Sequence, residues 1–186
     1  MRILLPLLLL LAACPDQIGL QCPPNTSIVG QYGFAFSAAH DAGNECIAQP
    51  PDAAAPQKLT LDDAGVKPAT ICVGTAADGG PQLQLLVPGK GGARKSDLLD
   101  DGGFHFVSDQ VVAQGTACVC DVNDAETLDG YLLTSGPFAL QPDGGLPAVT
   151  SVAATLQDRL SAAGSGTGCI CELPCTVTYS IQGTPF

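Results

Sequence analysis

Five cysteines fall in two tight groups, Cys118-Val119-Cys120 and Cys169-Ile170-Cys171 with Cys175 just beyond. In an extended strand residues i and i+2 share a face, so each C-x-C presents two sulfurs side by side. Thiolates in that arrangement would suit a soft metal ion, whereas oxidised sulfurs would pair as disulfides. Zinc sites space their paired cysteines by about two to four residues rather than one. The chain has no C-x-x-C and no histidine beside these cysteines to lower a thiol pKa, which argues against redox chemistry. Disulfides are therefore the expected state, and no metal or other cofactor is expected.

Three further stretches carry residue types capable of chemistry. The run Asp121-Val122-Asn123-Asp124-Ala125-Glu126, with Asp129 beyond, offers oxygen ligands of the kind calcium prefers. Ala125, Glu126 and Leu132 occupy the places where a calcium loop needs an oxygen ligand, a glycine and a glutamate, so a solvated acidic loop is the default reading and calcium the lesser one. His40 and His105 are the only histidines, and no G-x-S-x-G elbow accompanies them. His105, between Phe104 and Phe106, reads as an outward-facing strand residue; His40-Asp41 has no nucleophile attached. Gly89-Lys90-Gly91-Gly92-Ala93-Arg94-Lys95 lacks the G-K-[ST] ending of a phosphate loop and reads as an exposed hairpin tip.

These groups must be positioned by a chain whose opening fixes its compartment. Met1-Arg2 supplies one positive charge, Ile3 to Leu11 is apolar apart from Pro6, and Leu11-Ala12-Ala13-Cys14 closes the segment. That is the order of a secretory signal peptide, and it is far shorter than the roughly 20 residues a membrane-spanning helix needs. With cysteine directly after Leu-Ala-Ala, residues 1–14 resemble the lipobox of bacterial lipoproteins. The resemblance implies cleavage before Cys14, an acyl anchor (diacylglycerol, with palmitate-type chains) on Cys14, and residence in the cell envelope, at the outer membrane in preference to the inner. An ordinary signal peptide whose Cys14 pairs in a disulfide is the alternative.

Cysteine arithmetic agrees with a lipidated Cys14. Of nine cysteines, eight remain: Cys22, Cys46, Cys72, Cys118, Cys120, Cys169, Cys171 and Cys175. Four disulfides are possible in an exported chain, although eight cysteines allow 105 pairings and the sequence selects none. Removal of residues 1–13 from 186 leaves 173, enough for one domain with a sizeable core. It also leaves six basic and eighteen acidic side chains, a balance of −12, which repels phosphate backbones and excludes nucleic acid as a natural partner. The expected partners are the membrane, through the anchor, and an unidentified protein or small apolar ligand.

The division expected is a signal peptide (1–13), a lipidated cysteine with a proline-rich tether (14–26), and a single all-β domain (27–186). Gly (22) and Pro (15) make about a fifth of the chain, too few for low-complexity disorder, so they punctuate an ordered domain. Ser27 to Phe36 reads as the first strand, with Tyr32, Phe34 and Phe36 on one face. His40 to Gln57 reads as a long loop held by Cys46. Asp-Gly and Asp-X-Gly turns at Asp63, Asp78, Asp101, Asp129 and Asp143 separate the apolar runs Leu59 to Leu61, Thr70 to Val73, Gln82 to Val87, Phe104 to Val107, Thr116 to Val122 and Tyr131 to Leu133. Ser151 to Ala162 satisfies helical spacing, but its alternation, broken only by Asp158, favours strand. Cys175 to Gln182 is expected to close the sheet, with Val177, Tyr179 and Ile181 inward. Short strands with turns between them predict an antiparallel sandwich or up-and-down barrel, disulfide-stapled, with at most one short helix.

Gly30-Gln31-Tyr32 is similar to the G-x-W opening of lipocalin-type barrels. That resemblance implies an up-and-down barrel with an apolar interior for one small ligand. Without a catalytic constellation, the leading expectation is a non-enzymatic, lipid-anchored structural or interaction module. A lipocalin-like binder of a small apolar ligand is second, and an exported hydrolase third. A closed barrel with an apolar pocket of several hundred cubic ångströms would favour the binder.

Overall fold

The computed structural model describes residues 20–38, 46–50, 55–59, 65–88, 93–114, 119–141, 145–164 and 170–186. Its strands are β1 (Ser27–Ala38), β2 (Ile47–Gln49), β3 (Gln57–Lys58), β4 (Val66–Thr75), β5 (Pro81–Leu86), β6 (Arg94–Asp97), β7 (Gly103–Gln114), β8 (Cys120–Thr134), β9 (Val149–Ala162), β10 (Ile170–Cys171) and β11 (Cys175–Pro185). The described residues contain no helix.

Eight of the strands form one antiparallel sheet in the order β6-β5-β4-β1-β11-β9-β8-β7. With the short strands set aside, neighbours in the chain are neighbours in the sheet, and the last long strand pairs with the first, Tyr32 opposite Pro185 through Ala38 opposite Tyr179. This is an up-and-down meander, and it curls until its two edge strands meet. There the His105 N–H donates to Ser96 Oγ at 2.8 Å, and the Leu99 N–H donates to the Gly103 carbonyl at 2.9 Å. The architecture is thus a nearly closed barrel rather than a sandwich.

Alternation decides what fills it. Tyr32 and Phe34 of β1, Tyr179 and Ile181 of β11, and Val152 and Leu156 of β9 are buried in one cluster with Phe104, Phe106, Leu128 and Leu132. The strand reading of residues 151–162 holds along the whole of β9, whose Asp158 lies opposite Val177 of β11 and Glu126 of β8. Turns at Asp78-Gly79-Gly80 and Asp101-Gly102-Gly103 form as expected: Gly79 and Gly102 take φ of +92° and +84°, and each aspartate accepts a hydrogen bond from the second glycine's N–H.

Asp129-Gly130 is different. It lies inside β8, which joins the two runs expected as separate strands. A Cβ at Gly130 would stand 2.5 Å from the Ala153 carbonyl oxygen and 2.7 Å from Phe104 Cζ, so glycine is there for room rather than for a turn. The stretch 40–57 is also not all loop: β2 pairs with β10 and β3 in a separate three-stranded sheet. Leu59 follows β3 instead of opening a strand, and residues 60–64, including Asp63, lie outside the described set, as does Asp143.

Among the described residues three disulfides hold these parts: Cys22–Cys72, Cys46–Cys175 and Cys120–Cys171. The first ties the end of the proline-rich stretch to β4. The other two anchor the small sheet to the barrel rim, over a second cluster of Cys46, Ala48, Leu59, Cys120, Val122 and Leu160. Cys14, Cys118 and Cys169 lie outside the described residues.

Candidate functional site

The barrel's two ends are unequal. At the end where β8 turns back to β9, Phe138 and Leu146 from the long connection pack against the core. Gly102 admits Phe138 so closely that a Cβ there would meet its ring at 2.7 Å. At the opposite end, where β1, β5, β7 and β9 finish, the small sheet covers only part of the rim.

Beside it lies a cavity of about 210 Å³. Every strand of the barrel contributes to its wall: Phe34 and Phe36 from β1, Pro68 from β4, Leu85 from β5, Arg94 from β6, Phe106 from β7, Leu128 from β8, Leu156 from β9 and Ile181 from β11. It is therefore the barrel lumen and not a surface dimple. Its lining is overwhelmingly apolar, and its volume is below the ~300–1,000 Å³ typical of drug-sized ligand sites, so an occupant would be small.

The polar part of the wall is an ion pair, with the half-buried Lys67 nearby. Arg94 begins β6 on its inward face, and its Nη2 donates to Glu126 Oε2 of β8. The side chain of Glu126 is 4% exposed and that of Arg94 16%. The Gly89 to Lys95 stretch thus does not simply form an exposed tip, because Arg94 is drawn inside; residues 89–92 are outside the described set.

The acidic run that suggested calcium is split by the pleat of β8. Asp124 and Glu126 face inward and are buried, whereas Asp121 and Asp129 are exposed on the outer face, with the half-buried Asn123 in register between them. It is a strand and not a solvated loop, and its carboxylates point to opposite sides of the sheet. Among the described residues no group of three or more His, Cys, Asp or Glu side chains is placed to hold a metal ion.

The inward acids of β8 and β9 form one layer that includes Glu126 of the ion pair. Glu126 stands opposite Asp158 of β9, a pairing that brings two carboxyl groups to neighbouring positions on one face. Asp124, two residues from Glu126, accepts a hydrogen bond from Gln110 Nε2 at 3.3 Å through Oδ2, while its buried Oδ1 has no hydrogen-bond partner among the described residues. Sequence reading missed this layer, yet left a trace of it: Asp158 was the one break in the alternation of β9.

Other marked residues fall elsewhere. His105 sits on the outer face with its Nδ1 2.5 Å from Asp129 Oδ1, both side chains more than half exposed. His40 is outside the described residues. Tyr32 is buried, and burial pushes its phenol from 10.0 up to about 12. Its ring covers Gly30, where a Cβ would lie 2.6 Å from the Tyr32 hydroxyl, so Gly30 and Tyr32 work as a steric pair beside a bulge in β1.

Fold and lumen together define a disulfide-stapled, up-and-down β-barrel with a small apolar interior site. Comparison with protein-family models, with curated proteins and with solved structures returns no match to this chain.

Proposed function

We propose that the chain is a lipid-anchored, non-enzymatic binding protein of a bacterial cell envelope, whose barrel lumen takes one small, mainly apolar ligand. The observation that carries this reading is the lumen itself, an apolar cavity walled by all eight barrel strands and opening at one end. Packed cores of this size hold few voids larger than a water molecule, so a cavity of this volume calls for an occupant. Three disulfides suit an oxidising compartment outside the cytosol, in keeping with an exported chain. In this reading Cys14 carries the acyl anchor and the stretch up to Cys22 spaces the barrel from the membrane.

The test is saturable binding of a neutral, environment-sensitive apolar dye such as phenylnaphthylamine, measured with and without Leu156→Phe, which fills the lumen. One site per chain, weakened severalfold by the filling substitution, is expected; non-saturable binding, or binding indifferent to Leu156→Phe, would overturn the proposal. For the anchor, Cys14→Ser should move the protein out of the membrane fraction, and unchanged partitioning would refute lipidation. A second reading, a protein-interaction module, draws on the outer face of β7 and β8, where Val107, Val111 and Tyr131 are each more than half exposed.

A further inference from the structure

An apolar lumen alone would accept any small greasy molecule. One side chain in its wall narrows the choice. Lys67 stands near the start of β4, opposite Phe34 of β1, and so points to the same side of the sheet as that buried ring. Further along β4 the same face carries Ala69, Ile71 and Val73, all of which pack in the main core. The pleat therefore turns Lys67 inward at the open end of the barrel, where it lines the lumen beside Phe36 and Pro68 and is half-buried.

Arg94, the other cation of the wall, lies two strands away on β6 and is engaged by Glu126. Lys67 has no ion-pair or hydrogen-bond partner among the described residues. An ammonium drawn toward apolar surroundings without a partner is costly, so its head is kept toward the water at the mouth. An anionic group held at that mouth would meet the head, while the body of the same molecule fills the apolar space between Phe34, Phe106, Leu128 and Leu156.

The charges of the lining agree. Lys67 and Arg94 are positive and Glu126 is negative, which leaves the wall with an excess of positive charge. Asp124 and Asp158, although buried in the barrel, are not part of the cavity lining. The full chain's net charge of −11 opposes anions at long range. Screening limits that field to about 8 Å at physiological salt, so at contact the lining decides.

We infer that the ligand is a small amphipathic organic acid, with an aryl or short alkyl body in the lumen and a carboxylate at the mouth paired with the Lys67 ammonium. This rests on the lumen being a binding site, and adds the charge of its occupant and the residue that reads it. An organic amine would instead bring a further cation to a mouth where Lys67 and Arg94 already stand.

The purified protein is titrated calorimetrically with three compounds sharing one body: phenylbutyrate, phenylbutanol and phenylbutylamine. The carboxylate is expected to bind about three- to tenfold tighter than the alcohol, with the amine last; the half-exposed position of Lys67 keeps the ratio modest. Lys67→Met keeps an apolar stem and should bring the carboxylate level with the alcohol. The alcohol's own affinity should not change, so it also reports that the variant is folded. Lys67→Arg keeps the charge and should keep the preference. If the alcohol or the amine binds as well as the carboxylate, or if the carboxylate's advantage survives Lys67→Met, the inference fails and the lumen-binding proposal stands. If none of the three binds, both fail. The ranking in the unaltered chain decides the charge of the ligand even if Lys67→Met does not fold.

Discussion

Replacing Arg94 with methionine keeps most of the side-chain volume and removes the guanidinium. Glu126, 4% exposed, then remains inside the barrel opposite Asp158 without the Arg94 guanidinium. Removing one member of a buried pair typically costs about 3–5 kcal/mol. Arg94 is 16% exposed beside an open lumen, so water can partly replace it, and the expected cost falls to about 2–3 kcal/mol. The reverse change, Glu126→Leu, leaves a long flexible arginine that can reach toward the mouth with its head in water, and about 1 kcal/mol is expected. The double variant removes both charges and should be near neutral, because apolar replacements of buried pairs often match or exceed the original. The coupling energy is then about 3–4 kcal/mol, at or just above the upper end for residues in contact. Equilibrium unfolding in denaturant with disulfides intact measures all four corners of the cycle. For a domain of this size the Arg94→Met cost corresponds to a Tm lower by roughly 5–10 °C. A cost below about 0.5 kcal/mol for Arg94→Met, or a double variant whose effect is the sum of the singles, would show that the pair is not a desolvated interior contact and would remove the polar wall from the lumen.

Gly130→Ala should destabilise by about 1–3 kcal/mol through the clash with the β9 backbone, whereas Gly136→Ala, with open space around it, should be neutral or slightly stabilising; equal effects in thermal unfolding would contradict the mid-strand placement of Gly130. Tyr32 holds its proton more tightly folded than unfolded, so its contribution is fully present below pH 10 and is lost as pH rises toward about 12, at most roughly 2.7 kcal/mol. Tyr32→Phe should flatten that alkaline decline in stability, and overlaying profiles would disprove the shift. Mass spectrometry of an unreduced digest should return Cys22–Cys72, Cys46–Cys175 and Cys120–Cys171 as linked peptides, and with Cys14 acylated the remaining Cys118 and Cys169 should be linked to each other. Alkylation of either before reduction would break the eight-cysteine framework.

How much of this was legible in the sequence depended on what kind of pattern carried it. A half-buried strand writes its two faces into alternate residues, so β1, β9 and β11 were readable from Tyr32, Phe34, Val152, Leu156, Tyr179 and Ile181. Asp-Gly is ambiguous in a way no local rule removes. At Asp78-Gly79 glycine supplies positive φ, whereas at Asp129-Gly130 it makes room for Ala153 of β9, a residue distant in the chain. The interior acids were hidden for another reason. Alternation tells that β8 has two faces but not which is inward, and in Asp121 to Glu126 both faces are acidic. Only continuation through Val122, Leu128 and Leu132 assigns Asp124 and Glu126 to the inside. The lumen has no local trace at all, because its wall takes one or two residues from each of eight strands.

The disulfides belong to that non-local level as well, and their placement bears on what the barrel is for. The main core contains no half-cystine, while the second cluster, under the small sheet, is built around Cys46 and Cys120 and packs against Cys171 and Cys175. Strands of two and three residues cannot hold together by pairing and burial alone. The links that hold them close chain separations of 129 and 51 residues, where restriction of the unfolded chain is worth about 4–5 kcal/mol each at most. The barrel, with its aromatic and aliphatic interior, has less need of that help. Two of the three described disulfides therefore reinforce the rim beside the lumen, and the third, Cys22–Cys72, fastens the N-terminal stretch to β4. A rim held in one geometry before a ligand arrives need not be ordered by it, which is the condition under which a cavity of about 210 Å³ can bind a small molecule usefully. Opening Cys120–Cys171 by a double serine substitution should on this argument weaken dye binding more than it lowers the unfolding midpoint of the barrel.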